Sequence, residues 1–182
     1  MGYIVLQTDF GNGGSGAMAG VCKIVDRDLR VFNLTHEVPK FDIAAAGSNL
    51  ADVIPFWPEG TVFVSVVDPG VGTARRASVC LTGNGRYVVT PDNGTLDEIN
   101  RRFGIKAVRE IDETVNRYKG NKWSRESDIF HGRDIFAYCQ RLRKCSSLFD
   151  LNIYFFQTLL YICVARHLYY HMQTIHQFDA AS

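Results

Sequence analysis

The stretch FVSVVDPGVGTARR, residues 63–76, places a carboxylate, Asp68, at the end of an apolar run and a guanidinium, Arg75, seven residues later. A carboxylate leaving a buried strand is costly unless it is paired or faces a ligand. Pro69-Gly70 turns the chain sharply enough to bring a downstream arginine back towards it. Such a pair can be catalytic, or it can be an ion pair that fastens a loop; the residues alone leave both readings open. His131, in SDIFHGRDIF, is the best base among the five histidines, flanked by Phe130, Gly132, Arg133 and Asp134. Its charge can change near neutral pH, although a lone histidine is more often structural. His36 has a similar but poorer case. Asp9, in T-D-F-G, is placed either to accept hydrogen bonds from ribose hydroxyls or to cap a turn. Asp92-Asn93-Gly94 reads as a turn with an Asx bond. His131 and Asp134 have no third ligand at an identifiable spacing, so no metal is predicted.

Elements of an α/β protein must position these groups. YIVLQ (3–7), VFNL (31–34), TVFVSVV (61–67), SVCLTG (78–83) and RYVVT (86–90) are predicted strands. AMAGVCKIVDRD, DIAAAGSNLADVIPFW and TLDEINRRFG are predicted helices, the last ended by Gly104. Polar loops follow the strands: T-D-F-G, T-H-E, D-P-G-V-G and P-D-N-G. An open, mostly parallel Rossmann-like sheet with flanking helices would gather them outside the carboxyl ends of its strands, where such sheets bind ligands.

GNGGSG at 11–16 matches G-x-G-x-x-G between a strand and a helix, which raises an NAD-binding reading. Asp9 would repel a pyrophosphate there, and the acidic residue expected some way downstream is only loosely supplied by Asp28 or Glu37. A flexible glycine loop is the favoured reading.

Composition narrows the class. The chain of 182 residues is 46% hydrophobic and 21% charged, with a net charge of +1. RRFGIKAVR and RLRK are short and read as solvated faces, so no nucleic-acid partner is predicted. Five cysteines, at 22, 80, 139, 145 and 163, include no C-x-x-C pair, which argues against a disulfide framework or zinc site. The first residues run into a strand without a basic region, apolar core and cleavage site, so the expected location is cytoplasmic.

From Tyr138 to Ser182 the composition changes: glycine, proline and glutamate vanish, and cysteine, histidine and aromatics crowd in. LFDLNIYFFQTLLYICVA is interrupted by Asp150, Asn152 and Gln157 and falls short of a membrane span, so no membrane partner is predicted. The domain reading is 1–137 as the α/β domain and 138–182 as an atypical tail, helical or poorly ordered, with the abrupt change read as an altered reading frame.

In order along the chain, T-D-F-G, T-H-E-V-P, V-D-P-G-V-G with its arginine, P-D-N-G and F-H-G-R-D-I-F-A resemble the S-adenosyl-L-methionine hydroxide adenosyltransferase family, adenosine-forming hydrolases related to fluorinating and chlorinating enzymes. The resemblance runs from about residue 3 to 137. It implies S-adenosyl-L-methionine as small-molecule substrate, no cofactor, and attack of water on the 5′ carbon to give adenosine and L-methionine. It assigns Asp68, Arg75 and His131 to the water, with the base open between Asp68 and His131. Asp9 becomes the ribose binder, and Phe41, Phe130 and Gly132 join it as substrate-binding positions. Halogenating relatives carry a small hydroxyl residue where this chain has Gly132 and lack the carboxylate of Asp68, which disfavours halide transfer.

The chain also departs from the family. Its glycine loop is short and lacks the usual second acidic residue, and Tyr138 stands where proline is usual. The family's C-terminal β-barrel, which completes the substrate site of a neighbouring subunit in a homotrimer, has no counterpart here. A remnant that binds an adenosyl ligand without turnover is therefore the alternative expectation.

Overall fold

In a computed structural model of the chain, residues 2–114, 116–120 and 130–139 are described. The expectation for 138–182 lies outside them but for its first two residues. Six strands form one sheet: β1 (Tyr3–Thr8), β2 (Arg30–Thr35), β3 (Val62–Val66), β4 (Ala77–Thr82), β5 (Tyr87–Pro91) and β6 (Ile105–Glu110). Their order is β2-β1-β3-β5-β4-β6. The first four neighbours pair in parallel, whereas β4 runs antiparallel to both β5 and β6, so it alone is reversed.

The helices are α1 (Asn12–Val25), α2 (Ile43–Val53) and α3 (Asp97–Phe103). Because β1 leads to one neighbour and β2 leads back past it to β3, right-handed crossovers put α1 and α2 on opposite faces. Asp42 caps α2 by accepting the Ala45 N–H at 2.9 Å, which fixes where the run of small residues starts to coil. Pro55 then diverts the chain into a single 3-10 turn, Ile54–Phe56. Under α2 and α3 lies a cluster of Val5, Leu50, Ile54, Phe63, Cys80, Val88 and Ile99. Ile4, Leu6 and Val64, which point the other way, are equally buried, as expected of parallel strands covered on both faces.

Two expectations need correction. GNGGSG is not a flexible loop: α1 begins at Asn12, and only Gly11, at φ 68°, adopts a left-handed conformation. Glycine disfavours helix by about 1 kcal/mol per residue. A tertiary contact opposes that here, as the Gly11 N–H donates to the His36 carbonyl at 2.7 Å, and Gly14 leaves room for the Phe10 ring, which a Cβ there would meet at 3.0 Å. RRFGIKAVR is likewise more than a solvated face, because Gly104 ends α3 and IKAVRE continues as the edge strand β6. Its exposed charges, Lys106 and Glu110, suit an edge.

Cys22, Cys80 and Cys139 are buried thiols. Burial pushes the thiols of Cys80 and Cys139 up to about 12, so at pH 8 neither carries appreciable thiolate. Iodoacetamide labelling followed by mass spectrometry is expected to leave both unmodified in the native protein and to modify both in denaturant. Native labelling of Cys80 at the unfolded rate would contradict the packing of β4.

Candidate active site

The loops after β1, β2, β3 and β5 leave the same edge of the sheet, because those strands are parallel. Asp9 and Asp68 emerge from adjacent strands there, since Thr8 pairs with Val66. The chain leaves β1 towards β2 on one side and β3 towards β4 on the other, so the two carboxylates flank the point where strand order reverses direction. Reversed β4 begins at this edge, which returns Arg75 to the end of β3.

Arg75 is the hub. Its Nε and Nη2 reach Asp68 Oδ2 at 2.8 and 2.7 Å, Nη2 lies 2.7 Å from His131 Nδ1, and Nη1 lies 3.4 Å from Glu113 Oε1. The guanidinium also sits 5.1 Å over the Phe136 ring. The Asp68 and Arg75 side chains are only 4% and 9% exposed. Arginine only donates, so His131 must present a lone pair at Nδ1, which puts the proton of the neutral ring on Nε2. Asp68 Oδ1 accepts the Gly70 N–H at 3.2 Å. The structure thus brings Asp68 and Arg75 to His131, which lies 56 positions beyond Arg75 in the sequence.

His131 opens a short π-helix, Gly132–Phe136, in which the Ala137 N–H donates to the Gly132 carbonyl at 3.0 Å. Such turns recur at functional sites. Asp134 is bound by Arg133 through two hydrogen bonds, 2.7 and 2.8 Å. Phe130 meets Phe10 edge-on at 5.4 Å between centroids. A Cβ on Gly132 would lie 2.9 Å from the Phe10 ring, so position 132 admits only glycine unless that ring moves. These contacts link Phe130 and Gly132 to the T-D-F-G corner.

Asp9 Oδ2 accepts the Phe41 N–H at 3.0 Å. Phe41 is the one described non-glycine residue at positive φ, 62°, and the residue is 60% exposed. A bulky residue in that region is strained. The bond to Asp9 helps hold it and turns an aromatic face outward beside a carboxylate. Asn93 serves the corner as well as its own turn, donating from Nδ2 to the Val67 carbonyl at 2.9 Å while its Oδ1 accepts from Thr95.

Sequence reasoning missed two participants. Glu113 and Phe136 both touch Arg75, and only the reach of an arginine seeking partners on every side could have hinted at them. His36 takes no part in the Arg75 cluster. Its Nδ1 meets Thr8 Oγ1 at 2.9 Å, tying the ends of β1 and β2, and Gly11 and Val38 add backbone bonds between the same segments. The Gly11 N–H is therefore engaged by backbone, which removes one donor a pyrophosphate would need and weakens the NAD reading.

Burial lowers the pKa of His36 below its ordinary 6.5. The unfolded chain then binds this proton before the folded one does, so stability present above about pH 6.5 is lost as pH falls towards the folded value. Denaturant titrations are expected to show this slope in the wild type and to lose it in His36→Gln. An unchanged slope would remove His36 as its source.

Among the described residues, no group of three or more His, Cys, Asp or Glu could hold a metal ion, and no helix is long and apolar enough to cross a membrane.

Comparison with known proteins follows the same lines. A family described as the SAM hydroxide adenosyltransferase N-terminal domain matches residues 4–148. The chain is 39% identical over 140 residues to a protein of Methanocaldococcus jannaschii named (R)-S-adenosyl-L-methionine hydrolase, covering 74% of this chain and 50% of that one. A protein of the same name from Salinispora arenicola is 41% identical over 138 residues, with the same coverage. The crystal structure of an uncharacterized conserved protein from Thermotoga maritima superimposes with a TM-score of 0.72 at 36% identity, covering 79% of this chain and 54% of that one. The chain spans about half the length of the curated relatives it matches. With the motifs in order and on one sheet edge, and with 4–148 matched, the chain belongs to the SAM hydroxide adenosyltransferase family.

Proposed function

We propose that this chain carries the water-handling part of an enzyme that hydrolyses S-adenosyl-L-methionine to adenosine and L-methionine. The observation that carries the reading is the buried centre in which one guanidinium, Arg75, holds both Asp68 and His131. The water oxygen bonds to the 5′ carbon as the carbon–sulfur bond breaks, and the bonding pair leaves with sulfur as the thioether of methionine. The water proton goes to a base. A sulfonium is already a good leaving group, so the protein's task is to align the water and accept that proton, and no cofactor is called for. Asp68 through Oδ1 is the base this geometry favours, because His131 Nδ1 already faces an Arg75 donor. Asp9 would receive the ribose hydroxyls, with Phe41, Phe130 and Gly132 around the nucleoside. The carboxylate at 68 and the glycine at 132 favour water over halide. A neighbouring subunit, as in a family-like homotrimer, or the half of the relatives not spanned here would complete the adenine side.

The relatives' name specifies the (R) form of the substrate, so both sulfur epimers belong in the test. Incubation of the protein with each, followed by chromatography, is expected to yield adenosine and methionine in equal amounts. Adenosine binding by calorimetry with no turnover of either epimer would instead support the binding remnant.

A further inference from the structure

The way Arg75 meets Asp68 is unusual for an arginine–carboxylate pair. Guanidinium and carboxylate commonly form a fork, two parallel bonds to the two oxygens. Here Nε and Nη2 both converge on Oδ2, at 2.8 and 2.7 Å, and the one partner of Oδ1 among the described residues is the Gly70 N–H. Two other contacts account for this orientation. His131 Nδ1 draws on Nη2, and Glu113 Oε1 draws Nη1 the other way.

Glu113 is itself held in place. The Ile111 N–H donates to the Ala77 carbonyl, fastening the end of β6 to the start of β4, two residues from Arg75. Asp112 Oδ1 then accepts from both the backbone N–H and the hydroxyl of Thr114, which fixes the turn carrying Glu113. Glu113 and Arg75 both line an open cleft of about 530 Å³ between residues 73–76 and 110–113. The Glu113 side chain remains 33% exposed, in contrast to Asp68.

From this geometry we infer that Glu113 is a positioning residue for the reacting centre. By holding Nη1 it keeps Arg75 from closing a fork over both oxygens of Asp68, so that Oδ1 stays available to the water. The functional part of the inference rests on the hydrolase reading; the geometric part does not.

Glu113→Met keeps roughly the length of the side chain and removes its charge and its acceptor oxygens, and Glu113→Asp keeps the charge and shortens the reach. With Nη1 released, Arg75 is expected to swing onto both Asp68 oxygens in a crystal structure of Glu113→Met. In the hydrolase assay kcat is expected to fall about tenfold in both variants, while KM and the calorimetric affinity for adenosine stay within about twofold. Arg75 still bound to Oδ2 alone in the Glu113→Met crystal would overturn the inference, as would a rise in KM that accounts for the lost kcat/KM. A forked Arg75 in a protein whose wild type turns over neither epimer would sustain the positioning role and reject the hydrolase reading.

Discussion

Arg75→Ala is expected to abolish the proposed hydrolysis and to cost roughly 3–5 kcal/mol of folding stability, the range for removing one partner of a buried ion pair. The size follows from what is left behind. Asp68, 4% exposed, loses both donors to Oδ2, His131 loses the donor at Nδ1, and Phe136 loses the cation over its ring. Arg75→Lys separates charge from shape. An ammonium keeps the positive charge but cannot reach Asp68, His131 and Glu113 at once, so part of the stability is expected to return while turnover stays at least a hundredfold down. Denaturant midpoints read the first effect and the adenosine assay the second. If Arg75→Ala unfolded at the wild-type midpoint, the cluster would not be buried as described. If Arg75→Lys were fully active, the three-way hold would be irrelevant to the chemistry.

The second large effect is expected far from the reacting centre. A Cβ added to Gly83 would lie 1.9 Å from the carbonyl oxygen of Phe103. Both atoms belong to backbone that is held: the Gly83 N–H donates to the Gly104 carbonyl at 2.8 Å, and the Gly104 N–H to Asn100 at 2.9 Å. No rotamer change relieves that collision. Gly83→Ala must separate the β4–β5 hairpin from the end of α3 and is expected to cost about 3 kcal/mol or more, at the upper end of overpacking effects. Gly20→Ala is the matched control. It lies within α1, is exposed, and its added Cβ would meet nothing within 4 Å, so a gain of roughly 0.5–1 kcal/mol is expected from helix propensity. Equal thermal midpoints for the two variants would refute the tight docking of the hairpin on α3.

The two predictions differ in how visible their cause was. Arg75 stood out in the sequence because a strand ending in a carboxylate, a Pro-Gly corner and an arginine seven residues on raise a question about pairing. Gly83 stood out for nothing, being only the last residue of the predicted strand SVCLTG (78–83). Its constraint comes from a carbonyl twenty positions away, at the end of a helix that the turn happens to touch.

What the sequence determined by itself was local. Runs of β-branched residues marked five of the six strands to within a residue or so at each end, and a polar turn after each parallel strand put Asp9 and Asp68 at strand ends. Order along the chain then carried the resemblance, because five short motifs in sequence are far less accidental than any one of them. Strand period and turn chemistry can be read in this way because they depend on near neighbours.

Tertiary structure decided the rest. The reversal of β4 carries Arg75 back to the edge where Asp68 emerges, and the pairing of β6 with β4 brings Glu113 to the same place. The start of α1 within a glycine-rich stretch is tied to the distant carbonyl of His36. His131 finds Arg75 across 56 residues because the short π-helix packs against α1 and β3. None of these follows from local pattern, since strand direction and side-chain convergence are set by which distant backbone groups satisfy one another once the apolar faces are buried.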